Sequence, residues 1–137
     1  MPIDDSGNTA LRAAMNAIPA LDAERGLRFA AGRVDHYIQR LRKYASCHTD
    51  IADELRAAQA YRDPVELGHI AHTLRGVAAV LGARELQQSA TDLETGLREG
   101  QDWRASASAV ARVCAAHQAL LEAIAALPET AELETAA

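Results

Sequence analysis

Several things are scarce in this chain of 137 residues, and each scarcity closes off a class of protein. Aromatic residues make up only 4% of it and β-branched residues form no run, so strands have little support. No apolar stretch approaches the ~20 residues needed to span a membrane. The first residues lack the charged-then-apolar pattern of a signal peptide, so the chain reads as soluble and cytoplasmic. No lysine- or arginine-rich tract occurs, and the formal net charge is −5. General nucleic-acid binding needs a dense basic footprint and is therefore not expected. The two cysteines, Cys47 and Cys114, form no C-x-x-C pair and fall in apolar helical settings. Both read as small buried hydrophobes of a reducing compartment. There is no glycine-rich nucleotide loop to bind ATP, and no serine sits on a recognisable nucleophile turn.

What the chain does have is helix. Alanine, leucine and arginine dominate, and all three favour it. The length suits one domain with a real core. Residues 1–8, "MPIDDSGN", read as a linker, and 128–137, "PETAELETAA", as a polar tail; the domain is 9–127. Helices are expected at about 9–17, at 23–31 between an Asp22 cap and Gly32, and at 34–47. Thr49 or Asp50 caps another to about 61. Then come 64–81, 83–99 and 103–127, the last capped by Asp102. The clearest start is "DPVE". Asp63 is the N-cap, Pro64 the first helical residue and Glu66 three beyond the cap, which together dispose of orphan amides. Gly82 closes that helix. Short connections make neighbours antiparallel. The fold class is therefore all-α: an antiparallel up-and-down four-helix bundle of 34–61, 64–81, 83–99 and 103–127. Two short N-terminal helices brace it.

The 64–81 helix has two unlike faces. With His72 at the origin and about 100° per residue, Val65, Gly68, His69, Arg75, Gly76 and Ala79 fall on its side. Leu67, Ile70, Leu74, Val77, Ala78 and Leu81 form the opposite, apolar stripe. Interior glycine costs a helix roughly 0.5–1 kcal/mol relative to alanine. Two of them one turn either side of His72 remove the side chains that would screen its ring. The bland alternative is that they permit close packing of helices, but they lie opposite the stripe that packs.

The run "HIAHTLRGVAAVLGARELQQSATDLE" resembles the signature of histidine phosphotransfer (HPt) domains. The matching positions are Ala71, His72, Thr73, Leu74, Arg75, Gly76, Ala78, Ala79 and Gly82, followed by Leu86, Ala90, Leu93 and Glu94. Upstream, "LDAERGLRFAAGRVDHYIQRLRKYASCH" is similar to the family's first segment, with an aromatic at Tyr44. The resemblance spans about residues 20–127. It implies a four-helix bundle in which His72 accepts a phosphoryl group from one receiver-domain aspartate and passes it to another. Arg75 stands where lysine is common, keeping the charge with a planar fork. Glu94 stands where some members have glutamine. A carboxylate there would repel a phosphoryl group unless neutralised, and Arg98, four residues on, can pair with it or reach the phosphate itself.

On this reading the chain supplies a nucleophile and a docking surface comprising Gly68, His69, Gly76, Ala79, Glu94 and Arg98. A neutral imidazole has the lone pair that attacks phosphorus. The acidic pocket and Mg²⁺ needed for transfer would come from the partner receiver, so the chain needs no cofactor of its own. It would be a phosphotransfer carrier rather than a kinase, free-standing or the C-terminal module of a hybrid sensor kinase. Two rivals remain. One is a helical adaptor, a degenerate relay domain that binds receivers without transfer. The other is a metal-binding bundle, for which Glu66 and His69 supply one E-x-x-H motif with no second. His36, His48 and His117 read as structural or solvated, and Arg40, Arg42 and Lys43 as a basic cluster that is a solvated face by default, with receiver docking as the other reading. Trp103 is expected to pack against the end of the bundle.

Overall fold

The computed structural model describes residues 6–127. Residues 1–5 of the linker expected over 1–8, and the tail expected over 128–137, lie outside the described residues. Among the described residues there are seven helices and no strand: α1 (Ser6–Asn16), α2 (Ala23–Phe29), α3 (Val34–Cys47), α4 (Ile51–Ala60), α5 (Pro64–Leu81), α6 (Arg84–Arg98) and α7 (Trp103–Ala125). The all-α class stands. α4, α5, α6 and α7 form a ring in which each packs on the next and α7 closes on α4. α3 extends the α4 position against α5 and α7, and α1 and α2 brace the α3 and α5 side.

Local chemistry explains most of these boundaries. The Asp63 carboxylate accepts the Glu66 amide (3.1 Å) and Pro64 opens α5. Asp102 and Asp22 cap α7 and α2 in the same way, accepting the Ala105 and Arg25 amides. α5 stops at Gly82, which has φ +72°. A Cβ there would also run into the Asp22 carbonyl, so the position requires glycine twice over. That contact belongs to a clamp: Leu21 and Ala83 make an isolated antiparallel bridge, and the Asp22 amide donates to the Gly82 carbonyl at 2.6 Å. The corner between α5 and α6 is thus tied to the segment between α1 and α2.

The core is aliphatic, as the scarcity of rings requires. Leu41, Leu55, Leu67, Leu74, Leu86, Leu93 and Val113 are fully enclosed. Ala71, Ala78 and Ala90 are buried with them and let the helices approach closely. The buried rings have polar tips that find partners. The Tyr37 hydroxyl donates to the Leu81 carbonyl (2.6 Å), and the Tyr44 hydroxyl meets His117 Nδ1 (2.6 Å). Trp103 packs partly buried against the core, and the Gln59 amide donates to its carbonyl.

Four expectations need correcting. α1 begins at Ser6 rather than about residue 9, since Ser, Gly and Asn are tolerated at the start of a helix, and Met15 is buried near its end. α2 ends at Phe29, because Ala31 and Gly32 both take left-handed backbone (φ 55° and 77°). Asp50 holds the N-cap position of α4 without a side-chain bond. Cys114 is buried as expected, but Cys47 is exposed. The stripe that buries α3 runs through Tyr37, Ile38, Leu41 and Tyr44. Cys47 lies about 110° from the centre of that stripe, on the face of Arg40 and Lys43.

Candidate functional site

α5 buries Leu67, Ile70, Ala71, Leu74, Ala78 and Leu81, and this leaves its other face outward. His72 lies midway along that face with its side chain 65% exposed. A Cβ built on Gly68 or Gly76 would meet nothing within 4 Å. No neighbouring helix presses on either glycine, so close packing does not account for them. His69 and Thr73 are exposed and Ala79 is half-buried. Val65, also on this face, is 81% exposed.

The ring's partner comes from the next helix. α6 buries Leu86, Ala90 and Leu93, which sets Glu94 at the edge of its buried stripe, facing α5. The Glu94 side chain is only 11% exposed, and its Oε2 lies 2.7 Å from His72 Nδ1. A carboxylate accepts and cannot donate. At that separation a proton must lie between the two atoms, so Nδ1–H donates to Glu94. A neutral imidazole carries one proton, and its lone pair is then on Nε2.

Two cations hold the other carboxylate oxygen. Arg75 Nη1 is 3.0 Å and Arg98 Nη2 is 3.5 Å from Glu94 Oε1. Neither makes an aligned hydrogen bond to that oxygen, so the attraction is between charges. Arg75 Nη2 also sits 3.3 Å from His72 Nδ1. Both atoms are donors once Nδ1 carries its proton, so that approach is a contact and not a bond. The arginines are 39% and 70% exposed. Pairs this open contribute at most about 1 kcal/mol each. Their effect is to orient and neutralise Glu94, and little of the domain's stability depends on them. The pairing of Glu94 with Arg98 was readable from their spacing; the nearer contact of Arg75 with the same oxygen was not.

A family model described as Hpt domain matches residues 27–130. The chain belongs to the Hpt family. No curated protein and no solved structure matches it. Hpt domains are phosphorelay histidine carriers of two-component signalling, not kinases, and they interact with receiver domains. Among the described residues of this Hpt domain, no helix is long and apolar enough to cross a membrane. Nor do three or more His, Cys, Asp or Glu side chains come together, among those residues, as a metal would need.

Beside His72 the Hpt domain carries a feature that sequence reasoning missed. A groove of about 580 Å³ runs between α3 and α5, lined on the α5 side by His72, Thr73, Gly76, Val77 and Val80. Arg40, Lys43 and Cys47 line its α3 side. Their spacing of three and four places them on one helical face. That spacing was the available signal, but only the packing of α3 against α5 turns it into a wall of the groove.

Of the remaining histidines, His48 also lines the groove, and His36 and His117 do not. His36 is exposed. His48 stacks on Tyr44, with ring centres 4.6 Å apart. His117 is buried, and burial with nearby His48 pushes its pKa down.

Proposed function

We propose that His72 is the phosphorylated residue of this Hpt domain, accepting the group through Nε2 from a receiver-domain aspartate and passing it to another. The observation that carries the reading is the 2.7 Å contact between His72 Nδ1 and a Glu94 carboxylate that is itself held by two arginines. It supports a ring whose tautomer and orientation are set before a partner arrives. The reactive lone pair then needs no preparatory proton transfer.

Docking uses the open face. Gly68 and Gly76 let the partner's backbone come close to the ring, with His69 and Ala79 at the margin. The α3–α5 groove supplies apolar surface from Val77 and Val80 and positive charge from Arg40 and Lys43. A receiver that brings an acidic, Mg²⁺-binding pocket is complementary to those cations. Arg75 and Arg98 stand beside the site, exposed enough to turn from Glu94 towards an arriving phosphoryl group.

The test is His72→Gln. The ring is largely exposed, so the bundle stays folded, with stability changed by no more than about 0.5 kcal/mol. Incubation with a phosphorylated receiver then gives no acid-labile label, whereas the wild type is labelled. Label that persists in the variant removes the assignment.

A further inference from the structure

We infer that Glu94 keeps the Nδ1 proton on His72 after phosphorylation as well as before it, and so holds the phosphohistidine in the form that can hand its group on. This rests on the reading of His72 as the phosphorylated residue.

Proton bookkeeping leads there. In the accepting step the Nε2 lone pair forms the N–P bond. The P–O bond to the donor aspartate breaks, and its electron pair stays on that carboxylate. The ring retains Nδ1–H and now carries a positive charge. In the donating step an oxygen of the next aspartate forms the new P–O bond, the N–P pair returns to Nε2, and the ring leaves as neutral imidazole with its proton still on Nδ1. No proton enters or leaves in either direction. If Nδ1–H were lost in between, the ring would have to depart as imidazolate, a far poorer leaving group. Retention of that one proton therefore decides whether the carrier can donate.

The surroundings of the ring bear on this from three helices. On α5 are His69 and Arg75; on α6, Glu94 and Arg98; and from α3 and its C-terminal end, Arg40, Lys43 and His48 line the groove that reaches His72. The four Arg and Lys cations attract a phosphoryl group, and every one of them opposes a charged ring. Glu94 is the carboxylate that counters them. Its two oxygens are divided: Oε1 takes Arg75 and Arg98, and Oε2 takes the ring proton. The carboxylate is mostly shielded from water, so the charge-assisted bond to Nδ1–H is poorly competed for and strengthens when the ring becomes cationic. An uncharged amide at this position would accept the same bond without favouring the cation.

The experiment labels the whole chain, enriched in ¹⁵N, with potassium phosphoramidate. It follows the ring nitrogens of phosphorylated His72 from pH 6 to 9, and the loss of phosphate by ³¹P NMR. In the wild type Nδ1 stays protonated to at least pH 8.5 and phosphate loss is nearly flat with pH. In Glu94→Gln the proton leaves at least one pH unit lower, and above that point the loss slows by roughly tenfold per unit. The inference is overturned if wild-type Nδ1 deprotonates at the same pH as in the variant, or if the wild-type rate falls with pH in parallel. The wild-type titration stands alone should Glu94→Gln fold poorly. Absence of any label on His72 brings down the functional reading first and this inference with it, and is a distinct result.

Discussion

Replacing both Gly68 and Gly76 with alanine is expected to stabilise this domain while impairing transfer. In the interior of a helix, alanine is favoured over glycine by about 0.5–1 kcal/mol, chiefly because it restricts the unfolded chain. A methyl group at either position meets nothing within 4 Å. No clash offsets the gain, and no new burial adds to it. The double variant therefore gains about 1–2 kcal/mol, or roughly 3–10 °C in Tm for a domain of this size. Circular dichroism melts measure that gain. Transfer from a phosphorylated receiver measures the cost of covering the surface. The double-alanine variant transfers more slowly, and Gly76→Lys, which sets a long side chain one turn from the ring, blocks transfer. A lower Tm in the alanine variant would mean that the glycines serve packing within the bundle. Undiminished transfer by Gly76→Lys would mean that the surface beside His72 need not be open. Either result refutes the reasoning.

Two other substitutions probe the scaffold. Gly82→Ala forces a side chain into left-handed backbone and against the Asp22 carbonyl; it should cost more than about 1 kcal/mol, read as a lower urea midpoint. His117 is held below the ordinary imidazole pKa, first by burial. As pH falls through about 6.5 the unfolded chain binds a proton that the native ring refuses, so stability declines by up to about 1.4 kcal/mol per unit until the native ring protonates too. His117→Gln, which cannot titrate, should flatten that decline between pH 7.5 and 5.5 in urea titrations.

The site was partly legible because part of it is local. Asp63, Pro64 and Gly82 announce α5, and its apolar spacing turns His72 away from the core. Glu94 is legible as a carboxylate that needs neutralising. Its bond to the ring was hidden, because 22 residues and a helix corner separate the two. The exposure of Cys47 is not legible, because the end of α3 looks apolar in one dimension. The pairing of Tyr44 with His117, 73 residues apart, left no local trace.

The order of the helices, the caps of α5 and the outward position of His72 were determined by the sequence alone. Each depends on neighbours within a turn or two, where about 100° per residue fixes the face. The tertiary structure decided which carboxylate meets the ring, at which nitrogen, and where the groove lies. Those depend on the rotation and offset of α5 against α6 and α3, and the packing of the whole core sets them.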